Sequence, residues 1–477
     1  MTIKKQAISG LKWTTVSTIT LTVVNLLKIS VLARFLDKTD FGLMALVTFV
    51  LGFMNLFMDM GLTSAILHRQ KITKHEYASL YWVNIVFSIA LAAIIILLSP
   101  LIAGFYNEPE LNTLIHLMSL SIILSALGKQ FRTIEQKELH FKYLGIIDII
   151  SAVVGLIVGV IMAVMGFGVY ALVFGSLTIY GISNMVFLIK GLAKHGMLLH
   201  FNFGETKPFL RIGIYQVGGQ VINYFNRDLD VLIIGKFFGT EILGGYSLAK
   251  QLVRMPLRII NSIITKVGVS VFPKYQNDHS ALRKYFTKLF EGKGVVNALV
   301  YGSMSILAYY LVYVFYGKEF LNIVPYVQLF TILVYLRSMG GIMGILVITK
   351  GRTDYGFYWN IFTTLLMPAS IILGAMHSLS MIIILMALVQ FILLIPGWYF
   401  FYKRLISLEF LPFIKPNIMP AVIAAVWLLI AMLFNDNIFK EICLVALLAI
   451  SLLIYSYFSI SEVKLHTNKI IRKYARL

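Results

Sequence analysis

The chain has 477 residues, of which 59% are hydrophobic and only 13% charged, with a mean hydropathy of +0.85. That balance excludes a disordered chain and is too apolar for an ordinary soluble domain. A net charge of +20 would point to nucleic acid in a soluble protein; in a chain built of apolar runs it reflects Lys and Arg gathered in cytoplasmic loops, so no nucleic-acid partner is expected.

Runs of about 20 apolar residues recur along the whole length, each long enough to cross a bilayer as a helix. The predicted fold is all-α: a polytopic membrane protein of about 14 transmembrane helices, in two parallel-repeat lobes around a central cavity. Met1–Lys12 is short and basic, and no small-residue cleavage site follows the first apolar stretch, so no cleaved signal peptide is expected. Spans are predicted at roughly 12–35, 41–67, 78–104, 111–130, 143–165 and 168–190, giving an N-terminal lobe over 1–190. A basic cytoplasmic linker, 191–207, leads to spans at roughly 208–238, 242–271, 288–316, 322–349, 354–376 and 379–402, the C-terminal lobe over 208–402. Residues 403–477 hold two further spans, at roughly 417–434 and 438–459, and a basic tail, Thr467–Leu477, expected to lie on the membrane surface.

With the N-terminus inside, the outer connections and span ends hold only Lys38, Lys236, Lys318 and Lys440 of the 41 Lys and Arg residues. A bias of that size places both termini in the cytoplasm. Outer connections such as Asn107–Glu110, Gly166–Gly168, Gly317–Glu319 and Asn435–Glu441 are too short to fold into a catalytic module. A repeat is visible at an offset of 202 residues: Ala33-Arg34-Phe35-Leu36 with Phe41-Gly42 matches Gly235-Lys236-Phe237-Phe238 with Leu243-Gly244.

The single cysteine, Cys443, excludes an intrachain disulfide. His68, His75 and His140 fall in loops and His116 in a span, without metal-site spacing, so neither metal nor cofactor is expected. The pairs Gly218-Gly219 and Gly340-Gly341 fit close helix packing.

Ionised residues inside the spans are the informative ones, because an unpaired charge there costs roughly 2.5–3.5 kcal/mol on insertion scales. Arg227, Asp228 and Asp230 sit in the seventh span; helical geometry places Asp230 nearly above Arg227 as its partner and leaves Asp228 the freer carboxylate. Lys250, Arg254 and Arg258 follow in the eighth span, one stripe drifting about 80° round the helix, with Pro256 expected to kink or loosen it. Arg34 and Lys266 are expected to snorkel to the interface. Lys28, Asp59, Asp148 and Arg337 complete the set; Asp148 is set aside as solvated near the inner surface. The surplus of cations suits an anionic cargo, and Arg offers a fork matched to phosphate oxygens.

The stretch Asn226-Arg227-Asp228-x-Asp230-x-Leu232-x-Ile234-Gly235-Lys236-x-x-Gly239, followed by Leu243-Gly244-x-Tyr246, Pro256 and Phe272-Pro273, resembles the second-half signature of bacterial polysaccharide flippases. LARFLDKTDFGLMALV near the N-terminus resembles the opening motif of the same group, the capsular and lipopolysaccharide repeat-unit transporters of the multidrug/oligosaccharidyl-lipid/polysaccharide exporter superfamily. The resemblance implies alternating-access flipping of undecaprenyl-diphosphate-linked oligosaccharide across the bacterial cytoplasmic membrane, with this lipid-linked substrate and membrane lipids as partners. On that reading Arg227, Asp228, Asp230, Lys250 and Arg254 stand on the cavity wall. Charge and depth, not the matched motif, add Lys28, Arg258 and Arg337 to Arg227, Lys250 and Arg254 as substrate-binding cations, and Asp59, Asp228 and Asp230 are the carboxylates expected to bind a coupling proton or Na+ if coupling exists. A drug/cation antiporter of the same superfamily would need an acidic cavity, and a membrane glycan polymerase or ligase would need a large outer loop, so a transporter and not an enzyme is expected.

Overall fold

The computed structural model describes residues 3–58, 63, 66–67, 69, 71–196, 198–433, 437–460 and 464. Asp59, His68, Asn435 and the tail Thr467–Leu477, all named above, lie outside the described residues, as does the side chain of Lys266. Among the described residues the regular structure is helical, with no strand.

The first helices are α1 (Ile3–Leu32), α2 (Lys38–Met58), α3 (Lys74–Tyr106), α4 (Glu110–Lys137), α5 (Phe141–Val164) and α6 (Tyr170–His195). Their ends follow local chemistry. Thr73 opens α3 with a capping box: its hydroxyl accepts from Glu76 N at 3.2 Å, and the Glu76 carboxylate accepts from Thr73 N at 2.8 Å. Asn107 closes the same helix in the left-handed region, φ 59°. The long α7 (Phe203–Val271) follows, then α8 (His279–Ile306), α9 (Ala308–Phe315), α10 (Val324–Gly340), α11 (Met343–Lys350), α12 (Thr353–Ala375), α13 (Leu379–Ile406), α14 (Phe410–Met432) and α15 (Ile438–Ser459).

Among the described residues 12 helical stretches are long and apolar enough to cross a membrane, or 13 when α8 and α9, bent by 72°, count as one span. One stretch, Val217–Ser262, has 46 residues. As a straight helix it would be about 69 Å long, more than twice the ~30 Å hydrocarbon core. It is not straight. Gly239 leaves helical geometry at φ 81°, ψ 175°, a conformation only glycine adopts readily. The Tyr246 hydroxyl donates to Asp230 at 2.5 Å, although 16 residues of continuous helix would hold them about 24 Å apart. The chain therefore turns back at Gly239, and the 12 to 13 candidate spans among the described residues come close to the about fourteen read from the sequence. Gly239 falls in the turn expected between the seventh and eighth spans, whereas Pro256, expected to kink or loosen the eighth, keeps helical backbone angles.

The chain divides into two compact units, Met1–Leu248 and Ala249–Leu477. In the first, α1 packs on α5, α3 on α4, and α6 on both α4 and α5. Connections gather at its two ends. At one end Lys236 donates to the Phe105 carbonyl and the Thr240 hydroxyl to Glu108 at 2.6 Å. At the other, Arg69 pairs with Glu76 at 3.0 Å, and Lys194 with Glu135 and Glu138 at 2.9 and 2.7 Å. Successive helices thus run in alternation between a sparsely basic end and a strongly basic one, as the charge pattern predicts.

In the second unit α8 packs against α10, α14 and α15, and α13 against α10 and α12. Phe286, Phe290, Tyr402 and Phe413 form its aromatic core, with Tyr402 stacked on Phe413 at 5.1 Å between centroids. Of the glycine pairs, Gly341 is closely packed, a Cβ there meeting Asn261 Oδ1, Lys293 Nζ and the Ser338 carbonyl oxygen each at 3.3 Å, whereas a Cβ on Gly218, Gly219 or Gly340 would meet nothing within 4 Å. Close backbone approach occurs instead at Gly42 and Gly244, where a Cβ would lie 1.9 Å from the Thr240 carbonyl oxygen and 1.8 Å from that of Lys38.

Candidate functional site

The intramembrane charges fall in both units. In the first, helical spacing predicts that Arg227 pairs with Asp230 and that Asp228 is the freer carboxylate. Arg227 Nε donates to the adjacent Asp228 at 2.6 Å, and its guanidinium lies 5.5 Å from the Tyr224 ring centre. Asp228, read as the freer carboxylate, is itself in an ion pair. Adjacent side chains on a helix diverge by about 100°, but the Arg stem is long enough to wrap back. Asp230 is buried, 1% exposed, and receives the Tyr246 hydroxyl and the Val231 amide at 3.0 Å. Tyr224 fixes the helix beneath them: its hydroxyl donates to the Phe49 carbonyl of α2 at 2.6 Å. Lys28 lies half-buried on α1. By the repeat offset of 202 it is the counterpart of Asp230.

In the second unit the stripe on α7 changes exposure as it winds. Lys250 is buried, Arg254 half-buried and Arg258 exposed. Arg337, in the last turn of α10, is half-buried. These residues lie in helical stretches long and apolar enough to cross a membrane, where guanidinium and ammonium groups can donate to an anion.

Two groups escaped the sequence reading. Asp148, set aside as solvated, holds Arg132 through two hydrogen bonds of 2.6 and 2.7 Å, and the Arg132 guanidinium lies 5.4 Å from the Phe187 ring centre. The signal was present: α4 and α5 form a hairpin turning near His140, and both residues stand eight positions from that turn. Lys293 of α8 is 3% exposed and donates to Asn261 Oδ1 at 3.4 Å and to the Ser338 carbonyl. Its signal in the sequence is the run of polar residues spaced four apart, Asn297, Tyr301 and Ser305.

The segment before α7 straps onto α3. The Ser79 hydroxyl donates to Glu205 at 2.7 Å, Asn202 N donates to Ser79 at 3.0 Å, and Trp82 Nε1 donates to the Leu198 carbonyl at 3.3 Å. The Ser79 hydrogen bond, assisted by His200 and His75, holds the Glu205 carboxyl below the usual carboxylate range.

A helical bundle of this length, with ionised groups set inside its spans, defines a multi-pass membrane protein with a transporter fold. The same fold is found in the lipid II flippase MurJ in an inward closed conformation, with a TM-score of 0.76 over 93% of this chain and 98% of that one, at 15% identity. An inward-facing multidrug resistance transporter of the MATE family matches with a TM-score of 0.60 over 87% and 96% of the two chains, at 12% identity. In sequence, residues 31–325 match the family described as polysaccharide biosynthesis protein, and the chain belongs to that family. The lipopolysaccharide biosynthesis protein WzxC of Escherichia coli is 30% identical over 415 residues, 87% of this chain and 84% of the relative. The teichuronic acid biosynthesis protein TuaB of Bacillus subtilis is 28% identical over 426 residues, 88% of each chain.

Proposed function

We propose that this chain is a flippase that carries undecaprenyl-diphosphate-linked oligosaccharide repeat units across the bacterial cytoplasmic membrane for surface polysaccharide assembly, acting as a transporter and not as an enzyme. The observation that carries the reading is the excess of Lys and Arg over Asp inside the spans, in a family whose members are named for polysaccharide biosynthesis. Cations at that depth are costly unless they meet an anion or water, and a diphosphate supplies the anion. The similarity of WzxC over most of the chain, and a fold shared with a lipid II flippase, support a lipid-linked glycan as cargo.

In this reading Lys28, Arg227, Lys250, Arg254, Arg258 and Arg337 hold the diphosphate, while the polyprenyl tail stays in lipid. Asp59, Asp228 and Asp230 are the carboxylates assigned to a coupling proton or Na+. The lobes are 1–190 and 208–402, with 191–207 as a cytoplasmic linker, 403–477 as an added pair of spans with the basic tail, and both termini inside. Access alternates between the two faces as the lobes move. Deleting the gene should make lipid-linked oligosaccharide accumulate on the inner leaflet. Wild-type protein should relieve the accumulation, and Arg254→Ala and Lys250→Ala should not, at normal membrane levels. Full relief by both variants would overturn the reading.

A further inference from the structure

The interface between α8 and α10 in the second unit is polar along its length. On α8, Lys293, Asn297, Tyr301 and Ser305 recur every fourth residue, and all four are at most 3% exposed. Facing them in antiparallel order on α10 are Ser338, Tyr335, Thr331 and Gln328. Asn297 Nδ2 donates to Ser338 Oγ at 2.6 Å, the Tyr301 and Tyr335 rings meet edge to face at 6.5 Å, and Gln328 Nε2 donates to the Ser305 carbonyl at 3.4 Å. From Lys293 to Ser305 the seam covers about 18 Å of helix, over half the hydrocarbon core.

Interhelical hydrogen bonds can glue membrane helices, but glue satisfies its own groups. This seam does not. Asn297 Oδ1, Tyr301 Oη and Ser305 Oγ are each buried without a hydrogen-bond partner among the described residues, one on each successive turn beyond Lys293. Orphaned polar atoms in a line, all in one interface, have the chemistry of a site for ordered water. At its end Lys293 is held by neutral acceptors, the Asn261 amide of α7 and the Ser338 carbonyl. The charged and titratable groups on the elements packed there are Arg258 of α7, Glu291 about 200° round α8, Tyr335 and Arg337 of α10, the exposed Lys415 of α14 and Tyr455 of α15. None of them makes an ion pair with Lys293 among the described residues.

We propose that the α8–α10 seam is a proton-exchange site: a file of water bound to Asn297, Tyr301 and Ser305 connects Lys293 with the far end of α8, and Lys293 binds and releases a proton through it. The step is a transfer of one proton between the Lys293 amine and the adjacent water, with no other bond changed. The site is independent of the substrate reading above and of Asp228 and Asp230.

Radiolytic hydroxyl labelling of the purified full-length protein in lipid nanodiscs tests it, because bound water gives rise to oxidation of side chains beside it even when they are buried. Tyr301 should label well above Phe290, which is equally buried in the aromatic core. Labelling of Tyr301 no greater than that of Phe290 would overturn the water file. Tyr301→Phe and Ser305→Ala should lower the melting temperature if their hydroxyls hold water; a rise in both would show a dry seam relieved of unpaired groups. Labelling of Tyr301 in the wild type should change between neutral and alkaline buffer, and Lys293→Arg, which keeps the charge but cannot release it, should lose that response. The same response in Lys293→Arg, or none in the wild type, would remove Lys293 from proton exchange. None of these readouts depends on which cargo the protein moves.

Discussion

Gly42 and Gly244 make the same contact in exchange: Gly42 lies against the carbonyl of Thr240, four residues before Gly244, and Gly244 lies against the carbonyl of Lys38, four residues before Gly42. The two glycines are 202 residues apart, the offset of the sequence repeat. A self-complementary contact of this kind is what a local two-fold axis produces. The repeat, resting on a few matched residues in the sequence, thus has a packing counterpart. Gly42→Ala and Gly244→Ala should each destabilise the protein by at least ~1–3 kcal/mol, since the new Cβ would press on backbone that cannot move aside. Gly218→Ala, which meets open space, should be tolerated. Melting temperatures and membrane levels of the three variants check this.

Tyr246→Phe should destabilise by roughly 1–3 kcal/mol, because it takes a donor from a buried carboxylate and releases the clasp between the arms of α7. Asp228→Asn should cost less, because the Arg227 side chain it pairs with is 53% exposed. Denaturation of the two variants, read by one method, gives the order. A larger loss from Asp228→Asn would return the structural role to the Arg227 pair.

Arg132 and Asp148 should behave as a coupled pair. Arg132→Ala or Asp148→Ala alone leaves a half-buried charge without its partner, while the double variant should lose less than the summed single losses, with a coupling of about 0.5–3 kcal/mol. A double-mutant cycle on thermal unfolding measures it, and strict additivity would show that the two hydrogen bonds contribute nothing net.

Glu205 gives a pH dependence of known sign. Its folded-state carboxyl is held down by Ser79, so its contribution to stability is fully present above the unfolded value, about 4.3. It is lost as pH falls through the lower folded value. Glu205→Gln should therefore melt below the wild type at neutral pH, and the two should converge in acid. A constant difference across that range would show that the strap does not depend on the ionised carboxylate.

Topology can be checked with cysteine. In a Cys443→Ala background, cysteine placed at Asn107 or Gly317 should react with an impermeant thiol reagent added outside intact cells. Reaction only after the membrane is opened would reverse the assigned orientation.

The sequence by itself determined the class and the run of apolar helices, because bilayer thickness, backbone hydrogen bonding and the cost of charge in lipid act on local composition. It also located the intramembrane charges. Their partners were decided by tertiary structure. Helical spacing favoured Asp230 for Arg227, but that rule weighs only the same helix face, and the fold at Gly239 brings Tyr246 to Asp230 from sixteen residues away. Depth alone places Asp148 near solvent, but α4 lays Arg132 against it. Gly218 and Gly42 look alike in a sequence, yet only Gly42 has another backbone pressed on it. Pairing energies depend on which helices face each other across a distance of a few ångströms, and a one-dimensional pattern constrains that only where a hairpin or a repeat ties two positions together.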